Sequence, residues 1–449
     1  MVISFAIQAT CRFDSADERV SMRDHPLREA LNEELHARPP LRLAAPASLT
    51  HQVFLAPEGE AEADRARLAD FAARFGQAGP TRPARHLVIS LPGGALLRWE
   101  RHGEFQAFTA IRPRPAQPHE DYWSALTPEV LTLLDAQPGE RLVAMHLRID
   151  EGVDAEPPRN EFGAELVGAT FGSSGARAFT DFRLHGDASG QRFGRWLLQV
   201  PGGFDPGRLG RMAQRIMEIE TYRMAALLSL PDARAAVNGL SPMEARLAAI
   251  VEHTAQGGSD DDDPKLLEEL TALAAEAEAT AARNRFRLAA TAAYGALVER
   301  RLADLEEGRI PGFQPVSTFL DRRFRPALDT CAAVARRQEA LLRGLGNASS
   351  LLRTRVDVRL EQQNARMLSA VSRRAKMQLR LSMAVEGFST FAIAYYALSL
   401  LKMAADALPG VGVSPPGWLG LVAVPVLAGA VWYSLRRLRR SLGADEAAD

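Results

Sequence analysis

The chain has 449 residues, room for two or three domains, and its 54 basic against 55 acidic side chains give no overall pull toward nucleic acid. Its two cysteines, Cys11 and Cys331, stand alone without metal spacing, which excludes a cysteine zinc site and fits a reducing compartment. The opening MVISFAIQATCRF has no basic leader and no long apolar core, so no cleavable signal peptide is expected.

Residues 1–23 read as a lead-in to a mixed α/β head over 24–205. The string HPLREALNEELHARPP predicts a short helix over 26–37, because proline suits a first turn and Pro39 and Pro40 stop it. Leu27, Leu31 and Leu35 share one side and are expected to bury it. Arg28, Asn32 and His36 recur one turn apart on another side, with Glu33 beside His36. With His25 and Arg38 they make a first candidate ligand-binding group.

THQVFLA, RHLVISL, GALLRWERHGEFQAFTAI and RLVAMHLRI read as strands, while 60–75 and 128–135 read as helices. IRPRPAQPHEDYW between them is a proline-rich surface loop. Strand alternation through WERHGEF puts Glu100, His102 and Glu104 on one face. A histidine between two carboxylates suits a proton or a hard divalent ion. The same alternation also describes the solvated face of a half-buried strand.

Residues 163–200 predict three more short strands joined by glycine-rich turns. In TDFRL, Asp181 and Arg183 share a face with Arg177, an acid and two guanidiniums suited to an anionic group. FGSSG lacks the lysine and following helix of a phosphate-binding loop and reads as a glycine hairpin.

After Pro206 the chain turns helical, a coiled-coil-like stalk over 206–380. RLGRMAQRIMEIETYRMAALLSLP is amphipathic, with Met212, Ile216, Ile219 and Met224 on its buried stripe. Its Glu218, Glu220 and Arg223 suggest a site or, more plainly, surface pairing three residues apart. In GGSDDDDP the acidic run is expected to end in Asp263 capping a helix that starts at Pro264 and continues to about 307. A helix over 319–345 follows. Another runs from 347 without Gly or Pro until Gly387, about 60 Å of helix leading toward the tail.

The tail, 381–435, predicts a two-helix transmembrane hairpin. Residues 387–401 carry no charge, and extension to Leu381 reaches the roughly 20 residues a span requires. Residues 417–435 are uncharged, with Trp418 at one end and Trp432 and Tyr433 at the other. Arg373, Arg374, Lys376 and Arg380 precede the pair, and Arg436, Arg437, Arg439 and Arg440 follow it, in a basic then acidic tail over 436–449. Positive flanks on both sides put both termini in the cytoplasm. Ser382, Glu386, Ser389 and Thr390 form a polar stripe, suited to a pore or a helix contact, or to a carboxylate held near the interface by Arg380.

Several strings, HPLREALNEELHARPP, LRWERHGEF, TDFRL, MEIETYRM, LLRTRVD and VEGFSTFAIAYY, together resemble the bacterial family catalogued as domain of unknown function 3422, often described as membrane-anchored. The resemblance runs from about His25 through the first apolar segment. It implies the same architecture, an α+β head on a helical stalk and a membrane anchor, and no activity or catalytic residue.

The expected function is a membrane-anchored, cytoplasm-facing scaffold or sensor in the bacterial inner membrane. Its expected partners are the lipid bilayer, further copies of the chain, and a cytoplasmic protein or ligand. The order of head, stalk and terminal hairpin is also similar to CorA-type transporters, although SLLKMAAD stands where a Gly-Met-Asn signature would. An enzyme built on His36 with Glu33, or on His102 with its carboxylates, is the third reading. No nucleophile elbow, paired-histidine metal motif or nucleotide fingerprint accompanies it.

Overall fold

In the computed structural model the described residues are 24–29, 31–32, 41–56, 59–81, 84–114, 123–153, 156–157, 159–163, 165–187, 190–256 and 262–407, and in the second apolar segment 418, 421–422, 424–426 and 428–434. The chain divides into two compact units: Met1–His253 with Glu269–Gly346, and Thr254–Glu268 with Asn347–Asp449. The architecture is α+β, a nine-stranded sheet with long helices.

In the first unit the strands are β1 (Ala47–Leu55), β2 (His86–Ser90), β3 (Leu96–Arg101), β4 (Phe105–Pro113), β5 (Arg141–Glu151), β6 (Val167–Phe171), β7 (Ala176–Gly186), β8 (Arg192–Val200) and β9 (Glu307–Arg309). They lie in the order β2-β3-β4-β1-β5-β8-β7-β6-β9. Neighbours run antiparallel except β5 and β8, which pair in parallel from Met145↔Gly194 to Glu151↔Val200. The helices are α1 (Ala61–Ala73), α2 (Pro128–Asp135), α3 (Pro206–Leu227), α4 (Leu230–Ala255), α5 (Asp263–Ala303), α6 (Val316–Arg323) and α7 (Arg325–Ala407).

Helices cover both faces of the sheet. Leu49, Val53, Phe105 and Ile111 pack with Met212, Ile216 and Ile219 of α3 and Leu320 of α6. Phe54, Phe108 and Ala110, of opposite parity on the same strands, pack with Leu68 and Phe71 of α1 and Val130 and Leu134 of α2. Burial on both sides explains why FQAFTAI lacks clean alternation.

Several expectations change. The single strand predicted through WERHGEF is two, β3 and β4, joined by a tight turn in which the His102 amide donates to the Phe105 carbonyl at 2.8 Å. Leu27 and Leu31, expected to bury the N-terminal helix, are 55% and 63% exposed, and Leu35 lies outside the described residues. The break predicted near residue 346 is absent, since α7 runs through Gly344 and Gly346. A Cβ at Gly344 would stand 2.9 Å from Leu247 Cδ2, so this glycine serves close packing against α4 rather than ending a helix. The helices of this unit are further joined by Arg337 to Glu244 at 2.6 Å, a hydrogen bond that holds the Glu244 carboxyl below its ordinary range. Buried Ser229 reaches Thr291 at 2.5 Å and Cys331 at 3.4 Å.

In the second unit Asp263, expected as a cap, is the first residue of α5. Its buried carboxylate meets Arg355 at 3.5 Å and also Arg359. Arg355 in turn donates to the Thr254 carbonyl at 2.6 Å. Among the described residues, α7 carries the one stretch long and apolar enough, by length and composition, to cross a membrane, and none of that stretch is buried. The sequence predicts two such spans. The second segment contains a shorter apolar helix, Val424–Ser434, and extends over residues outside the described ones.

Candidate functional site

Helix α3 seats the string MEIETYRM between two depressions in the first unit. One lies toward the β3–β4 turn and the other toward a bulge in β7.

On the turn side the central residue is His51 of β1, fully buried. Its Nδ1 lies 2.9 Å from Thr109 Oγ1 on β4, and its Nε2 lies 3.0 Å from Thr221 Oγ1 on α3. Thr221 donates its own hydroxyl proton to the Met217 carbonyl at 2.9 Å, so it accepts from His51, which fixes the proton on Nε2. Burial pushes the His51 pKa down to about 3, helped by the positive charges of Arg98 and His102. A neutral imidazole fastened at both nitrogens is a brace between sheet and helix.

Next to it is a cavity of about 210 Å³ whose wall includes Glu100, His102, Glu218, Tyr222 and Arg301. Its charges are engaged by neighbours. Glu100 accepts from Arg98 at 2.8 Å, Glu218 accepts from Gln214 at 2.9 Å and from Arg301, and His102 stacks on Phe105 at 4.4 Å. The turn carries Glu104 away from Glu100, to Arg287 at 3.0 Å and the Tyr294 hydroxyl at 3.3 Å. Burial and the Glu104 carboxylate push the Tyr294 pKa up to about 12. Among the described residues no group of three His, Cys, Asp or Glu is placed to hold a metal ion, so Glu100, His102 and Glu104 do not form the ion-binding face that strand alternation suggested.

On the bulge side, Phe182 takes φ 54°, a left-handed backbone that a bulky residue adopts only when its surroundings dictate it. Those surroundings are visible. The buried Asp181 carboxylate accepts from the amides of Gly163 at 2.6 Å and Arg183 at 3.0 Å, and lies 2.9 Å from His185 Nε2. Thr180 Oγ1 accepts from the Phe182 amide at 3.2 Å. The Phe182 ring stacks on Phe319 at 4.8 Å and meets Trp196 edge-on at 5.5 Å, while the Arg223 guanidinium sits 5.2 Å above it. The register of β7 against β8 slips across Thr180 and Leu184 as a result.

This bulge floors a cavity of about 450 Å³, lined by Arg141, Phe182, Arg183, Arg192, Glu220 and Arg223 among others. Of its arginines, Arg223 pairs with Glu220, Arg192 donates to the Leu184 carbonyl at 3.1 Å, Arg141 donates to Gln52 at 3.3 Å and lies over Phe193, and the exposed Arg183 lies 4.0 Å from Glu165. The surface pairing expected for Glu220 and Arg223 is a buried one: Glu220 is 5% exposed, accepts from Trp196 Nε1 at 2.8 Å and binds Arg223 at 2.5 Å.

The structure therefore separates the members of the predicted clamp. Arg183 reaches the cavity, Asp181 is spent on the backbone of the bulge, and Arg177 donates to the Val153 carbonyl and lies over Phe179. Of the first candidate group, Arg28 pairs with Asp24, His25 Nδ1 accepts from the Leu27 amide at 3.2 Å, Asn32 is exposed, and Glu33, His36 and Arg38 lie outside the described residues. His51, Arg141 and Arg192 carried no motif. They are isolated polar residues on strands, and only the pairing of distant strands brings them together. In the apolar stretch, Ser389 donates to the Val385 carbonyl at 3.0 Å and Thr390 to the Glu386 carbonyl at 2.8 Å, so both hydroxyls are satisfied within their own helix. Ser382 is exposed there as well.

No curated protein and no solved structure matches the chain. The model of one family, described as Protein of unknown function (DUF3422), matches residues 23–442, and the chain belongs to that family.

Proposed function

We propose that the protein is a membrane-anchored scaffold or sensor whose head faces the cytoplasm of a bacterial cell. One observation carries this reading: the apolar stretch of α7 is wholly unburied, with Phe388, Phe391, Tyr395 and Leu400 each more than 60% exposed. Burying apolar surface is worth about 25 cal/mol per Å², so a run of such side chains favours hydrocarbon over water by many kcal/mol. Arg373, Arg374, Lys376 and Arg380 lie directly before it, where anionic headgroups would meet them. Trp418, Leu421, Val426 and Trp432 of the second segment are exposed too, and support a return span that completes a two-helix hairpin with both termini inside.

Ahead of the membrane, Leu360, Met367, Leu368 and Val371 stand exposed along α7 and would be covered by further copies of the same chain. The head then serves as the receiving module and the helices as its link to the bilayer. The test is cysteine labelling in intact cells carrying Cys11→Ser, with single cysteines placed in 404–416 and near either terminus. A membrane-impermeant maleimide should modify the linker position without lysis and the terminal positions only after it. A linker labelled only after lysis would overturn the hairpin.

A further inference from the structure

We infer that residues 360–385 of α7 are the surface through which copies of the chain pair with one another, in parallel and in register. The seam is Leu360, Met367, Val371, Leu381 and Val385, with Asn364 facing Asn364. The pairing rests on the membrane-anchored reading proposed above, which gives every copy one direction, and it adds the register and the residues in contact.

Arg355 and Arg359 still hold α7 to Asp263. Beyond them every residue from Leu360 to Val385 is exposed except the half-buried Ala370, although Met367, Leu368, Val371, Met377 and Leu381 are large and apolar. Helices in proteins gain most of their stability by burying such a face, so this one is left for a partner.

The spacing of the face says what kind of partner. Leu360, Met367, Arg374 and Leu381 lie seven residues apart, and Asn364, Val371, Gln378 and Val385 repeat the same interval four residues further on. Alternating steps of four and three make the seam of a left-handed coiled coil, in which a polar residue such as Asn364 fixes the register. Charge is arranged to match. Of the cations in this segment, Arg366, Arg373, Lys376 and Arg380 take outward positions, and only Arg374 falls on the seam, where its long stem reaches the rim. The positions flanking the seam from Gln363 to Ala384, among them Leu368, Ala370, Ala375 and Met377, carry no charge, so like charges do not face one another across it.

The bilayer cannot cover this face. The cations make the segment unfit for hydrocarbon, and it cannot lie flat among headgroups because α7 continues without a break into the apolar stretch that would cross the membrane. A helix alongside it remains. Each further copy presents the same stripe, at the same height above the bilayer and in the same direction.

The experiment is disulfide cross-linking of the full-length chain in native membranes, in a Cys11→Ser background that keeps the buried Cys331. Single substitutions Met367→Cys and Val371→Cys on the seam are compared with Gln362→Cys and Ser369→Cys on the outward side, using copper phenanthroline as oxidant. A disulfide needs Cα atoms within about 7 Å, so both seam positions should give covalent dimers and both outward positions should not. In neutral detergent, light scattering should find an oligomer, and Met367→Glu combined with Val371→Glu should reduce it to the monomer mass. These side chains are exposed, so the head keeps its fold. The inference is overturned if the seam positions fail to cross-link, if the outward positions cross-link equally well, or if the double variant keeps the oligomer mass. Carbonate extraction of the same membranes separates the two readings. A chain that stays in the pellet without seam cross-links refutes the pairing alone, whereas a chain in the supernatant removes the anchor and with it the common direction.

Discussion

His51 Nε2 on the middle of the sheet lies 3.0 Å from Thr221 Oγ1 on α3, and this neutral contact ties the stability of the head to pH. In the unfolded chain the imidazole takes a proton near its ordinary value of 6.5, but burial, with Arg98 and His102 nearby, withholds it in the folded state down to about 3. Between those values the unfolded state binds the extra proton. Stability is therefore lost as pH falls through that window, at about 1.4 kcal/mol per pH unit for this one group. His51→Gln should be less stable near neutrality, because the brace is weakened. Its further loss between about pH 6.5 and about pH 5 should be shallower than wild type by roughly 2 kcal/mol. Denaturation midpoints across that range check both statements.

The Asp181 carboxylate holds three donors around the bulge, and removing it should release the backbone that presents Phe182 and Arg183. Asp181→Ala takes the acceptor from the amides of half-buried Gly163 and exposed Arg183, which places the expected destabilisation at about 1–3 kcal/mol. Asp181→Asn keeps one acceptor oxygen and should cost less. A thermal-denaturation comparison of the two variants reads this order, and equal stability of both with wild type would contradict it.

Two helical glycines should respond in opposite directions to alanine. A Cβ at Gly210, on α3, would stand 1.7 Å from the Leu41 carbonyl oxygen, against backbone that cannot step aside. Gly210→Ala should therefore cost at least about 2 kcal/mol. A Cβ at Gly239, inside α4 and three residues before Pro242, meets nothing within 4 Å. Gly239→Ala should raise stability by about 0.5–1 kcal/mol through helix propensity. Paired unfolding curves decide the matter.

Much of this fold is legible in the residues themselves, because its elements announce themselves locally. Pro128 follows Thr127, whose side chain accepts from the Val130 amide, and α2 begins where that pattern predicts. Pro206 follows Asp205, which caps α3 in the same way. What sequence periodicity cannot supply is which polar side chains meet. Glu100, His102 and Glu104 share a parity that a single strand would turn into one face, but a turn at His102 breaks it and sends Glu104 to α5. The arginine-lined cavity is less legible still. Its lining comes from β5, β7, β8 and α3, and the left-handed Phe182 on its wall is a conformation that no propensity predicts. Strand β9, three residues at the sheet edge, is too short for any pattern to reveal.

The most direct test of the account is whether the chain resides in a bilayer. Cells expressing the full-length protein, and others expressing it truncated after residue 346, are lysed without detergent, washed with alkaline carbonate and sedimented at high speed. The account predicts that the full-length chain remains in the membrane pellet until detergent is added, while the truncated chain, lacking the exposed apolar stretch of α7, stays in solution. Full-length protein in the carbonate supernatant would contradict it.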